Sequence, residues 1–241
     1  MAVLWYSILA GLATCLGGIL AVVIQKPGGR FLAATLGCAA GIMLAVALFD
    51  LIPSAWLYGT LLKFAIGLIM GIFLLKMLDL TLSKATMGVS RERDRRYLLN
   101  LGYLVAIGIA LHDLPEGMAI AVGYEAANKL NIVIALAIGL HNIPEGMAIG
   151  IPLKMGGMKG RVILLITALA SIFTPLGTLI GLILVSFSQN FISILLAAAA
   201  GAMLYIVFKD IWPEAKRRHP NFARLGMALG VFIMILVKII H

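Results

Sequence analysis

Two short segments of this sequence carry the same set of side chains that bind metal ions. Each has a histidine, then a carboxylate or carboxamide, and a glutamate four residues after the histidine. Positions four apart lie on one face of an α-helix, so the histidine and glutamate of each segment share a face. Imidazole nitrogen with carboxylate oxygen suits Zn, Fe, Mn, Co or Cd better than calcium. We therefore predict one metal site between the two segments, formed by His112, Asp113, Glu116, His141, Asn142 and Glu145.

A proline follows each histidine by three residues, at Pro115 and Pro144. Proline has no N–H, so the carbonyl groups of Leu111 and Leu140 lose their helical partners. We therefore expect both helices to be bent and locally unwound beside the site. Irregular backbone in a membrane is tolerated where it lines protein or a polar cavity, which suits a substrate site.

The composition places these segments in a membrane. Charged residues make up 12% of the 241 residues and hydrophobic residues 62%, with a mean hydropathy of +1.09. Soluble domains contain about 25% charged residues. We predict an all-α polytopic membrane protein whose single transporter domain, residues 1–241, has eight spans of about 20 residues. The spans are residues 2–24, 31–52, 57–78, 97–122, 131–153, 162–186, 191–211 and 222–240, with a polar cytoplasmic loop at residues 79–96.

The distribution of basic residues predicts the orientation. With the N-terminus outside, 15 of the 19 lysines and arginines fall in cytoplasmic segments. Cytoplasmic loops of membrane proteins carry this excess. We therefore expect both termini outside, and the formal charge of +9 needs no nucleic-acid partner.

The predicted spans contain more ionisable groups than a bilayer tolerates without compensation. Each such group costs about 2.5–3.5 kcal/mol at the centre of a helix on insertion scales. A bound divalent cation would neutralise the carboxylates, and Lys209 is the basic residue adjacent to one of them, Asp210. The ionisable groups are Asp50, Asp113, Glu116, Glu145 and Asp210, together with His112 and His141.

The sequence also repeats itself outside the two metal-binding segments. Residues 39–55 and 199–215 are identical at eight of seventeen positions, which include Met43/Met203 and Asp50/Asp210. The second and seventh spans run in opposite directions, as do the fourth and fifth. Inverted repeats of this kind place a transporter's substrate site near the bilayer midplane. Asp50 is then a candidate gate at the outer end, and Asp210 with Lys209 at the inner end.

These motifs, HDLPEGMAIAVG from His112 and HNIPEGMAIGIPL from His141, resemble those of the ZIP (Zrt/Irt-like protein) metal transporters, specifically the GufA-like bacterial branch. The resemblance implies a 3+2+3 arrangement of eight helices in a bacterial inner membrane. It implies import of a divalent transition metal into the cytosol by alternating access, with zinc favoured over Fe, Mn, Co and Cd. It also implies that spans two, four, five and seven slide together past the others.

The resemblance further implies a binuclear site in which the metals are substrates rather than catalytic cofactors. One metal would be held by His112, Glu116, His141 and Glu145, with Met43 nearby. The second would lie against Asp113, Asn142 and the two glutamates, with Asp210 as a further ligand. Two residues depart from the family pattern: Lys209 replaces a common His or Glu, and Asp113 replaces the usual Asn.

Two other functions fit parts of the sequence. His-x-x-x-Glu is also a ligand spacing of zinc enzymes, which allows an intramembrane metalloenzyme, although His-Glu-x-x-His is absent. The second alternative function is that of a proton-coupled carrier of organic cations. Apart from the metal and the lipid bilayer, a homodimer is a candidate partner because Gly67-x-x-x-Gly71 is a helix-packing motif.

Overall fold

The computed structural model describes residues 2–25, 27–84, 90–126, 130–184 and 189–240, and within these ranges all regular structure is helical. Eight long helices follow one another along the chain. They are α1 (Ala2–Val23), α2 (Gly29–Leu57), α3 (Leu61–Lys84), α4 (Ser90–Ala126), α5 (Leu130–Met155), α6 (160–184), α7 (189–218) and α8 (Pro220–Ile240). Among the described residues, seven of them are long and apolar enough to cross a membrane; α5, which carries the second motif, is the exception. The predicted all-α membrane architecture is confirmed.

The helices pack as two groups of four. In the first group, α1 and α4 each pack against both α5 and α6. In the second group, α2 pairs with α8 and α3 with α7, while α2 and α7 meet near their ends. The resemblance had placed α2 and α7 with α4 and α5. The structure instead places α4 and α5 with α1 and α6, because close helix contacts need small residues and the glycines of the motifs face α1 and α6.

Glycine contacts show that this packing is symmetric in the first group. Gly17 of α1 lies so close to the backbone of Ile143 on α5 that a Cβ would overlap its carbonyl oxygen. Gly177 of α6 meets the carbonyl of Leu114 on α4 in the same way. The inverted repeat therefore relates α1 to α6 as well as α4 to α5.

The second group repeats the pattern. Gly41 of α2 meets the backbone of Met227 on α8, and Gly201 of α7 meets Leu68 on α3. Accordingly α2 corresponds to α7 and α3 to α8. The whole chain is thus two inverted three-helix repeats around a central helix pair, which is the predicted 3+2+3 arrangement.

The motif Gly67-x-x-x-Gly71 is a packing face within the chain. Gly67 lies against Ile194, and Gly71 lies against Ala198, both on α7. In this conformation the motif is covered by the protein's own helix and is not available to a second copy.

The backbone departs from α-helix in α2 and α7 rather than beside the metal-binding motifs. A five-residue π-helical segment occupies Ala47–Leu51, and an equivalent one occupies Val207–Ile211. Each ends two residues before a proline, Pro53 or Pro213, whose missing N–H leaves one carbonyl without a helical partner.

In contrast, α4 and α5 remain helical through Pro115 and Pro144. The predicted unwinding there is wrong. A helix inside a packed bundle can remain regular when proline removes one N–H donor, because neighbouring groups can bond the freed carbonyl.

One ion-pair network joins the two groups of helices at the end where α4 begins. Asp94 of α4 accepts hydrogen bonds from Arg217 (3.0 Å) and Arg218 (2.8 Å) of α7. The same arginines donate to Glu214, at 2.7 and 2.6 Å between Nε and carboxylate oxygen, and Glu214 is only 1% exposed. The Arg217 guanidinium also lies 5.5 Å from the ring centre of Tyr97 on α4.

Candidate metal site

All six predicted ligands lie on α4 and α5 in the first helix group, and each is at most 6% exposed. Five of them, all except Asn142, come within 4.0 Å of another member. The glycine after each glutamate allows a helix outside this pair to approach its motif closely. Gly117 lies against Thr174 of α6, and Gly146 lies against Thr14 of α1.

The closest pairs in the cluster join the two helices rather than residues of the same helix. Nε2 of His141 lies 3.0 Å from Oε1 of Glu116, and Nε2 of His112 lies 3.3 Å from Oε2 of Glu145. His112 and Glu116, four residues apart on α4, are 3.8 Å apart. Each histidine therefore faces the glutamate of the other helix, which is the arrangement needed to hold an ion between them.

The His112 ring is oriented for metal binding. Its Nδ1 lies 3.3 Å from the carbonyl oxygen of Gly108, one turn earlier in α4. A proton on Nδ1 donated to this carbonyl leaves the lone pair of Nε2 directed at the carboxylates of Asp113, Glu116 and Glu145. His112, Asp113 and Glu116 each offer one ligand atom within 4.8 Å of the others.

Several buried polar atoms of the cluster have no hydrogen-bond partner in the described part of the chain. The 3.3 Å pair of His112 and Glu145 is close but is not aligned as a hydrogen bond. Leaving such atoms unpaired in a dry interior costs several kcal/mol, so they mark a ligand that satisfies them. The atoms are Nε2 of His112, Oδ1 of Asp113, Nδ1 of His141, Oδ1 of Asn142 and both oxygens of Glu145.

A threonine that the sequence analysis did not identify supports the cluster. Thr174 of α6 donates a hydrogen bond to Oδ2 of Asp113 at 3.2 Å. On the other side, Asn142 donates to the carbonyl of Ala10 on α1 at 3.1 Å, and the hydroxyl of Thr14 has no hydrogen-bond partner among the described residues. The only sequence signal is a short repeat, Thr-x-Leu-Gly at residues 14–17 and 174–177, which lies on the helices that the symmetry relates.

The remaining candidate residues lie on the second helix group. Met43 is fully buried on α2, a helix that packs against α5. Asp210 is 7% exposed, and its Oδ2 has no hydrogen-bond partner in the part of the chain that the structure describes, whereas the neighbouring Lys209 is exposed. Asp50 is half exposed and forms an ion pair with Lys238 at 2.9 Å. The structure brings together five of the six motif residues, whereas Asn142 contacts the backbone of α1. The roles of these four residues and of Asn142 stay predictions.

Comparison with known proteins identifies the family. The family model described as ZIP Zinc transporter matches residues 81–238. The protein called Zinc transporter ZupT from Enterobacter sp. (strain 638) is 37% identical over 244 residues, covering 95% of this chain and 92% of the relative. The proteins of the same name from Escherichia coli O127:H6 and from Escherichia coli K12 (DH10B) are each 36% identical over 242 residues, with the same coverage. These are names of transporters, so the metalloenzyme alternative is not favoured. The chain belongs to the ZIP family of zinc transporters.

Proposed function

We propose that this protein imports zinc into the cytosol through the cluster on α4 and α5. The convergence of unpartnered ligand atoms from two buried motifs is the observation that carries the proposal. Three carboxylates and two imidazoles in a dry interior need a cation to balance them. The relatives named as zinc transporters make zinc the first candidate among divalent transition metals.

The cluster has enough ligands for two ions. One ion would take His112, Glu116, His141 and Glu145. A second would take Asp113 and Asn142, with the glutamates as bridges. Met43 and Asp210 are proposed as additional contacts along the route, because Met43 lies on a helix packed against α5 and Asp210 keeps an unpartnered oxygen.

Alternating access follows from the division into two helix groups. The cluster belongs to the group of α1, α4, α5 and α6, and the candidate gates Asp50 and Asp210 belong to the other group. Sliding of one group past the other would move the cluster between the two ends of the molecule. We place the ends of α2 and α8 outside, since the basic residues gather at the opposite end.

Zinc uptake into proteoliposomes tests the function. Wild-type protein should accumulate radioactive zinc with time, and both Glu145→Gln and His112→Ala should lower the initial rate at least about tenfold, because each removes a ligand. His219→Ala is the matched control, since His219 lies at the start of α8 outside the cluster and contacts Phe222.

The proposal fails if wild-type protein takes up no zinc, or if both ligand variants take up zinc at the wild-type rate. Circular dichroism and gel filtration of each variant separate loss of transport from loss of fold. Competition by excess Fe, Mn, Co or Cd ions in the same assay then ranks the metals, because similar ligand sets serve several of them.

Cysteine labelling tests the orientation. In a background with Cys15 and Cys38 replaced by alanine, an impermeant maleimide should label Thr60→Cys in intact cells. Thr60 is exposed between α2 and α3. Lys159→Cys, just before α6, should react only after permeabilisation. The reverse pattern would overturn the proposed direction of the helices.

A further inference from the structure

The end of α2 carries a small cation site that the protein's own lysine occupies. Nζ of Lys238, on α8, lies 2.9 Å from Oδ1 of Asp50 and donates a hydrogen bond to the carbonyl oxygen of Phe49 at 2.7 Å. Phe49 lies in the π-helical segment shortly before Pro53, a residue that supplies no N–H to this part of the helix. A carboxylate and a carbonyl oxygen thus converge on one ammonium group.

The inverted repeat supplies an internal comparison for this site. Asp210 corresponds to Asp50, and Pro213 to Pro53, each pair beside a π-helical segment. The same repeat relates α3 to α8, so that Gly71 of α3 corresponds to Gly230 of α8. Eight residues after Gly71 the chain has Asp79, and eight residues after Gly230 it has Lys238. The position that holds a lysine at one end of the molecule therefore holds an aspartate at the other.

The two ends consequently differ in charge. At the end of α3, Tyr205 of α7 donates a hydrogen bond to Asp79 at 3.0 Å, and Lys209 directly precedes Asp210. At the other end, Lys238 neutralises Asp50. At the end of α2 the carboxylate is thus paired with a lysine of α8, whereas at the other end the equivalent position of α3 is an aspartate.

We propose that the ammonium group of Lys238 competes with the metal ion for the carboxylate of Asp50. This competition sets the apparent affinity for the metal at the end of the molecule where α2 ends. This inference rests on the proposed function, for which that end is the outer entrance. The arriving ion must displace the ammonium from the carboxylate of Asp50 and the carbonyl of Phe49. Displacement is feasible because the side chains of Asp50 and Lys238 are 48% and 54% exposed, and exposed ion pairs are weak.

Zinc uptake kinetics in proteoliposomes with a known protein orientation test the proposal. Lys238→Met keeps the length of the side chain and removes its charge, and it should lower KM about two- to fivefold with kcat unchanged. Lys238→Arg keeps the charge and should keep the wild-type KM. Lys238→Gln is a second neutral variant in case the methionine variant does not fold.

A double-variant cycle separates competition from a general charge effect. In Asp50→Asn, the further change Lys238→Met should give no gain, because the carboxylate that the lysine blocks is absent. Lys63→Met is the matched control, since Lys63 lies at the same end and, among the described residues, forms no ion pair with Asp50.

An unchanged KM in both neutral Lys238 variants would overturn the proposal, as would an equal fall in KM for Lys63→Met or a full gain in the Asp50→Asn background. Absence of zinc uptake by wild-type protein would instead refute the proposed function. The two failures are therefore distinguishable.

Discussion

The two sides of the metal cluster differ in their chemistry, although the symmetry makes them equivalent in position. Asp113 on α4 brings a charge and receives a hydrogen bond from Thr174. Asn142, at the equivalent position on α5, brings a neutral amide, and the equivalent threonine, Thr14, has no partner for its hydroxyl. The side of the cluster on α4 is therefore better suited to hold a second cation.

Thr174→Val should weaken zinc binding about tenfold, because it removes the hydroxyl that orients Asp113 while keeping the shape of the side chain. Thr14→Val changes the same atoms at the symmetry-related position but breaks no hydrogen bond, so its affinity should stay near the wild-type value. Equilibrium zinc binding by titration calorimetry in detergent measures both. Equal losses in the two variants would show that the hydrogen bond to Asp113 does not matter.

The proximity of five of the motif residues, all except Asn142, could be predicted from the sequence because the spacing of side chains on a helix is a local property. Thr174 could not, since a buried threonine in a membrane helix is common and its neighbour in space is 61 positions away. The position of Lys238 beside Asp50 was also not predicted. A pair that joins α2 to α8 depends on the packing of the second helix group, which a single sequence does not specify.

At the scale of helices, close approach at glycine determines where the cluster lies. Gly146, in the second motif, faces the backbone of Thr14 on α1, and a Cβ there would overlap its carbonyl oxygen. Gly139, two turns earlier on the same helix, has only ordinary van der Waals neighbours at 3.7 Å.

We expect Gly146→Ala to lower stability by about 1–3 kcal/mol, because α1 and α5 must separate to admit the methyl group. Gly139→Ala should be neutral or slightly stabilising, since alanine is the better helix former. Thermal unfolding in detergent micelles measures both variants. A melting temperature for Gly146→Ala at or above that of Gly139→Ala would contradict the packing described here.

The ion-pair network between α4 and α7 gives a second prediction at this scale. Glu214 is buried and accepts three hydrogen bonds from Arg217 and Arg218, whereas the side chain of Asp94 is 45% exposed. Glu214→Gln should therefore cost about 1–3 kcal/mol, and Asp94→Asn less than about 1 kcal/mol. The same melting experiment ranks them, and the reverse order would show that exposure does not govern these pairs.

The existence and type of the helices could be predicted because most of the apolar stretches are long enough to cross a bilayer, as seven of the eight described helices are. Their ends could not. The predicted loop at residues 79–96 is partly helical, since α3 continues to Lys84 and α4 begins at Ser90; residues 85–89 lie outside the described residues. Polar residues can continue a helix that is already packed. The hydropathy of the sequence therefore indicates which residues lie in the bilayer, but not where the helix ends.

At the scale of the whole molecule, the helices pack more extensively within each group than between the two groups. The cluster lies in one group and the candidate gates lie in the other, so transport by alternating access requires the groups to move relative to each other. The Asp94 network crosses between the groups through α4 and α7. At the same end, the adjacent Arg95 bonds the carbonyl of Gly156 at 2.7 Å within the first group.

These two neighbouring contacts allow the movement to be tested with matched cross-links. In a background without Cys15 and Cys38, a short bifunctional thiol reagent joining Asp94→Cys to Arg218→Cys should stop zinc uptake, because it ties α4 to α7. The same reagent joining Arg95→Cys to Gly156→Cys should leave most of the uptake intact, since α4 and α5 belong to one group. A reagent with a reducible centre should restore transport on reduction. If zinc uptake survives complete cross-linking of α4 to α7, the ion crosses without relative movement of the two groups at this end. If the two cross-links inhibit uptake equally, the rigid units are not the two groups that the packing defines.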